Sequence, residues 1–246
     1  MKSKAEKIAR FDPNGPGMDN GHFIGLPFEE EDAKVVLLSV PWDVTVSYKA
    51  GTSRGPENIL RASAQLDLFD PIAENAWQMG IYQVPSDEQW KTKNDDLRPL
   101  AKDYIDFLES GGNMLENPEK TNQLATLNAA CLDLKNWVKQ ACGKRLDADQ
   151  VVGVVGGEHA SPLGLLEALS DRYDSFGILQ IDAHMDLREA YEGFIYSHAS
   201  IFYNALKLPS VTKLVQLGIR DYCEAEWALA QESAGGIQVL TDQALR

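Results

Sequence analysis

Four short apolar runs, at residues 34–40, 151–155, 176–181 and 213–217, constrain the fold of this chain more than any other feature. Each is a short, mainly apolar stretch, the pattern of a strand covered on both faces, as in a parallel sheet. Parallel neighbours need a crossover of a dozen residues or more, and the intervals leave room for a helix each time. Pro41 stops the first run, and Pro56 suits the first turn of a short helix carried by Ile59, Leu60 and residues 62–66. Residues 97–108 and 122–142 read as two further helices. In the second, Leu124, Leu127, Cys131, Leu134 and Val138 recur at helical spacing, with Gly143 placed as its C-terminal cap. Alternation of strands and helices predicts an α/β fold with a mostly parallel sheet. Residues 1–33, rich in Gly, Pro, Asn and Asp, read as an irregular lead-in, and 34–246 as one domain.

The chain has 23 basic and 37 acidic side chains, a net charge of -14. That field repels phosphate backbones and argues against a nucleic-acid partner. The acidic clusters at 29–32 and 95–96 read first as solvated loops. The N-terminal segment lacks the apolar core of a signal peptide, and no stretch nears the roughly 18 apolar residues of a membrane span, so a cytoplasmic location away from membranes is expected. Cys131, Cys142 and Cys223 are odd in number and lack CxxC spacing. All three are expected as free thiols, with no disulfide or thiolate zinc site.

In parallel sheets the reactive groups gather beyond the carboxyl ends of strands. The run at 151–155 leads into Gly156-Gly157-Glu158-His159, and that at 176–181 into Asp182-Ala183-His184-Met185-Asp186. Of four histidines, three (His159, His184 and His198) fall within 40 residues beyond these ends. A strand continuing past residue 181 would point Asp182, His184 and Asp186 to one side. Gathering such groups without a counter-cation is costly, since like charges repel and burial penalises each. A divalent metal removes that cost. Mixed imidazole and carboxylate donors suit manganese, zinc, nickel or ferrous iron above calcium or magnesium, and the ligand types do not choose among the four. Taken alone, His198 also reads as a helix-start residue before Ile201, Phe202 and Leu206.

Gly-Gly-Glu-His, Asp-Ala-His-Met-Asp and Ser197-His198-Ala199-Ser200-Ile201-Phe202 resemble, in order and spacing, the motifs of the ureohydrolase (arginase/agmatinase/formiminoglutamase) family. Val40-Pro41-Trp42-Asp43, the segment Gly51-Thr52-Ser53-Arg54-Gly55-Pro56 and Val215-Gln216-Leu217-Gly218-Ile219-Arg220 extend the likeness, which is loose only over 97–145. The resemblance implies a three-layer α/β/α fold and two divalent metals, manganese first and nickel second. It implies that His159 and Asp186 bind one metal, that His184 binds the other and that Asp182 bridges both. A guanidinium carbon is a poor electrophile, so attack requires hydroxide, which a metal pair about 3.5 to 4 Å apart supplies at neutral pH. Asp182 and His198 are then the catalytic residues, His198 contacting substrate or passing a proton to the leaving amine. Glu158 is expected behind the ligands, orienting His159. The implied substrate is a small cationic guanidino compound, agmatine first, with another small guanidino or formimino substrate (guanidinobutyrate, guanidine, arginine or formiminoglutamate) as the alternative. The implied assembly is a homo-oligomer, a trimer or hexamer.

Two departures stand out. Glu158 and Ala160 occupy positions where the family usually has Asp and Ser. The family also continues into a strand bearing an Asp-x-Asp pair and then a substrate-facing glutamate, and no such pair follows Arg220. Asp221 and Asp242 are isolated and are not expected as ligands. The C-terminal strands are therefore expected to be missing from the middle of the sheet, making 34–246 a partial domain that is inactive or poorly stable alone. A non-catalytic family-derived subunit, and an α/β binding module with a structural metal, are the readings from other classes.

Overall fold

Strand β1 (Val35–Val40) follows Ala33 and Lys34, and its apolar side chains are buried on both faces over most of its length. In the computed structural model, which describes residues 2–246, β1 pairs in parallel with β2 (Ile81–Val84) on one side and β3 (Val151–Gly156) on the other. Strand β5 (Val211–Ile219) is the centre of a second parallel trio, between β4 (Phe176–Ile181) and β6 (Ile237–Thr241). The strand orders are β2-β1-β3 and β4-β5-β6, and among the described residues no ladder joins the two sheets. The expected α/β fold with parallel strands is present. The division falls between β3 and β4, each of which pairs along one edge only. Leu179 and Ile181 of β4 are 62% and 78% exposed, unusual for a parallel strand.

The helices run α1 (Lys4–Arg10), α2 (Gly55–Ser63), α3 (Glu88–Glu109), α4 (Pro118–Asp147), α5 (Leu163–Arg172), α6 (Ile201–Ala205) and α7 (Glu224–Glu232). Helix α4 lays Leu127, Cys131, Leu134, Val138 and Cys142 against Leu38 and Val40 of β1 and against Tyr104 and Ile105 of α3. Around β5, Leu214 and Ile219 pack with Ile201 and Phe202 of α6 and with Ala230 of α7. None of the three cysteines is in a disulfide.

Several boundaries differ from expectation. Helix α4 runs through Gly143 and ends near Asp149, whose φ of 59° turns the chain, so Gly143 is an interior residue. Helix α3 begins nine residues before 97, capped by Asp87, and tolerates Pro99 by forgoing one backbone hydrogen bond. The lead-in is not wholly irregular. Ser3 and Glu6 form a reciprocal capping box that starts α1, and Leu26 and Phe28 are fully buried with Trp77 beneath Ile8 and Phe11. No helix of the described residues is long and apolar enough to cross a membrane.

Candidate metal centre

The turn after β3 is pressed against the chain leaving β1. Gly157 donates to the Val40 carbonyl at 3.2 Å and Glu158 to the Trp42 carbonyl at 3.0 Å. A side chain at Gly157 would meet the Trp42 carbonyl oxygen at 2.3 Å and Ser53 Cα at 2.9 Å, so only glycine lets the backbone approach this closely. The loop 51–53 is itself held by buried Asp43, whose Oδ2 accepts from Gly51 N–H at 2.7 Å and Ser53 N–H at 3.1 Å. Those bonds keep the Asp43 carboxyl below its usual range although burial opposes ionisation.

The loop after β4 is fixed from beneath by two buried amides. Gln216 donates through Nε2 to the Met185 carbonyl at 2.7 Å and to Gln180 Oε1 at 2.5 Å, and Gln180 Nε2 donates to the His184 carbonyl at 2.9 Å. Neither glutamine is distinguishable in sequence from a strand residue of no special role.

These two loops bring His159, Asp182 and Asp186 together, with one ligand-type atom from each lying within 4.8 Å of the others. His159 Nδ1 is 2.6 Å from Asp186 Oδ2 and 3.0 Å from Asp182 Oδ2. Burial works against a charged imidazole, yet the two carboxylates outweigh it and push His159 up to about 9. Asp182, also disfavoured by burial, is held well below the carboxylate range by His159 and by the His184 N–H, which donates to its Oδ1 at 3.0 Å.

His184 lies outside this trio. The strand ends at Ile181, so strict alternation does not carry through the motif, and Asp186 rejoins the cluster only because its backbone takes a φ of 53°. His184 Nδ1 stands 3.7 Å from Asp182 Oδ1, whereas His159 meets Oδ2, and the His184 Nε2 is 3.7 Å from Asp221 Oδ2. Asp221, read from sequence as isolated, is paired with His184 by an isolated bridge between the ends of β4 and β5. Asp242 has no place in the cluster.

Glu158 does not orient His159. Its side chain is fully buried and hydrogen-bonds instead with Thr45 Oγ1 at 2.5 Å, and its Oε2 is 3.9 Å from His198 Nδ1. Burial pushes the Glu158 carboxyl up to about 8 despite the Thr45 hydrogen bond. His198 is held below its usual pKa, first by burial and then by the neighbouring His184 and His159, with Asp186 opposing. His184, Asp186 and His198 open together on a cavity of about 330 Å³, whose wall also carries Arg188, Tyr191 and Asp221.

Parallel strands ending in clustered carboxylates and imidazoles define an α/β protein with a candidate site for a divalent cation. The chain belongs to the arginase family, whose sequence profile matches residues 33–246. It is 28% identical over 204 residues to the N(1)-aminopropylagmatine ureohydrolase of Synechocystis sp., covering 82% of this chain and 55% of that protein. Against the agmatinase of Bacillus cereus it is 26% identical over 202 residues, covering 82% and 57%. The chain thus spans little more than half the length of the curated relatives it matches. The fold matches the agmatine ureohydrolase of Thermoplasma volcanium with a TM-score of 0.62 at 18% identity, over 98% of this chain and 66% of that one. It matches the proclavaminate amidino hydrolase of Streptomyces clavuligerus with a TM-score of 0.64 at 17% identity, over 94% and 67%.

Proposed function

We propose that this chain carries the ligand-bearing part of a metal-dependent hydrolase that converts a guanidino compound and water to urea and an amine, with agmatine giving putrescine. The observation that carries this reading is the meeting of His159, Asp182 and Asp186 at the carboxyl ends of β3 and β4. The donor set suits a divalent cation, because two carboxylates are held against one another with only an imidazole proton between them. Asp182 turns one oxygen toward His159 and the other toward His184, the division a bridging carboxylate needs. His159, Asp182 and Asp186 would hold one ion, and Asp182 with His184 the second, as manganese or nickel. When bound, such ions lower the pKa of water to near 7 and polarise the guanidino group.

Acidic Asp186, Asp221 and Glu226 outnumber Arg188 around the cavity and favour a cationic substrate. His198, on the wall of the same cavity, is placed to return a proton to the departing amine, so that the cleaved C–N bond leaves urea and an ammonium. Two relatives are named for agmatine or its aminopropyl derivative, which supports the same substrate class. We place the enzyme in the cytoplasm, as a trimer or hexamer. One observation favours a second substrate: Arg188 lines the cavity 3.7 Å from Glu226 and suits a carboxylate tail, as in guanidinobutyrate.

The test is urea release by the full-length protein from agmatine, guanidinobutyrate, arginine and guanidine, with manganese or nickel added. Agmatine should be turned over fastest and only with metal. Preference for guanidinobutyrate would transfer the assignment to the second substrate, and absence of urea from every compound would overturn the ureohydrolase reading.

A further inference from the structure

Two neighbouring features of the N-terminal region are opposite in charge and alike in apolar character. Beside α1 lies a cavity of about 490 Å³ whose wall carries the cations Lys2, Lys7 and Arg10 against one acid, Asp12, and whose apolar lining includes Phe11 and Met18. Lys7 is paired with Asp32 at 2.5 Å, whereas neither Lys2 nor Arg10 makes an ion pair among the described residues. The second feature is the loop 64–75. It exposes Leu66, Phe69 and Ile72 at 59%, 81% and 95%, and it carries Asp67, Asp70 and Glu74 with no base. Single apolar side chains on a surface are ordinary, but three within seven residues mark a contact surface. The loop is held in this posture. Leu68 packs inward on the cluster of Leu26, Phe28 and Trp77, and Asp70 Oδ1 accepts from the Ile72 and Ala73 N–H groups at 2.7 and 2.9 Å. Phe11 of the cavity wall packs on the same cluster, so loop and cavity lie side by side.

We infer that a second copy of the chain docks here, the exposed loop of each copy seated in the basic cavity of the other. A projection and a cavity of opposite charge, side by side, match each other under two-fold rotation, so the contact closes on itself. Phe69 and Ile72 of one copy meet Phe11 and Met18 of its partner, and the three loop acids face Lys2 and Arg10. An aromatic ring buries about 150–250 Å² and the two-fold repeats every contact, which brings the total to roughly 1,200 Å², the small end of specific interfaces. The net charge of -14 opposes association in general, and residues 1–10, with four cations and one acid, supply the local exception. The pairing stands whatever the substrate is. In a hexamer it is the contact that joins two trimers.

Sedimentation velocity of the full-length protein over a concentration series tests the inference and needs no activity. Wild type should contain an even number of copies. Phe69→Asp should carry half that mass at the same concentration, with an unchanged melting temperature because the ring is exposed. Arg10→Glu should weaken the same association by about tenfold. Raising salt to about 0.5 M should weaken it in wild type and have less effect on Arg10→Glu. Benzoylphenylalanine placed at residue 69 should, on irradiation, join two copies, with the partner peptide falling within residues 2–27. An odd number of copies in wild type, equal mass in wild type and Phe69→Asp, or a cross-link confined to one copy overturns the inference. A monomeric wild type does so too, and leaves the cavity to a small anion with an apolar body. Urea release from the same samples decides the catalytic reading separately.

Discussion

His159 holds a proton between two carboxylates, where the arrangement of donors suits a cation of higher charge. Its pKa rises from 6.5 to about 9, so the folded state binds that proton more tightly than the unfolded chain does. The stabilisation is complete below 6.5 and is lost as pH climbs through 9. Glu158, raised from 4.5 to about 8, acts in the same direction over its own window, because burial favours its neutral form. The melting temperature of metal-free protein should therefore fall from about pH 6 to about pH 9.5, and Glu158→Gln should flatten the part of the decline below about pH 8. A level profile in both proteins would contradict these shifts. Protons and metal compete for His159, so manganese should bind more tightly as pH rises across the same range, as a titration at fixed ionic strength would show.

The three residues of the trio were legible in the sequence because they lie within five residues of the ends of two apolar runs, and a cluster of charge at strand ends has few structural uses. The direction of His184 was not. It depends on where β4 stops and on a left-handed backbone at Asp186, neither of which periodicity records. The partner of Glu158 was illegible for a different reason, since it comes from a loop distant in sequence.

At the scale of elements, the turn after β3 is the tightest joint in the site. Gly157→Ala forces a Cβ against backbone atoms that cannot rotate away, and should destabilise the protein by about 1–3 kcal/mol while displacing His159. Chemical denaturation paired with a manganese titration measures both effects, and a variant with wild-type stability would show that the turn relaxes freely. Strands with continuous aliphatic runs were readable, and so was the heptad-like face of α4. Strands β2 and β6 were not, because at four and five residues each is too short to stand out as a run; inside the sheet Gln83 of β2 donates to Ser39 Oγ and to the Pro56 carbonyl. The start of α3 was hidden because residues 88–96 carry one apolar residue, Trp90, and α1 is only seven residues long, with the Ser3/Glu6 capping box as its signal.

For the whole molecule, the α/β class followed from the alternation of runs, whereas the division into two sheets required knowing which strands pair. The free edges of β3 and β4 and the exposed Leu179 and Ile181 leave apolar and hydrogen-bonding surface open. The 246-residue chain should self-associate in light scattering despite its net charge of -14, and Leu179→Lys should reduce the association. A strictly monomeric chain would show that these edges are inert.

We propose above that the ends of β3 and β4 hold two metal ions with Asp182 between them. Electron paramagnetic resonance of manganese bound to the full-length protein, wild type against Asp182→Asn, tests it most directly. An exchange-coupled manganese pair is expected in the wild type, with loss of that coupling in the variant. Identical spectra from the two proteins, or no bound manganese in either, would contradict it.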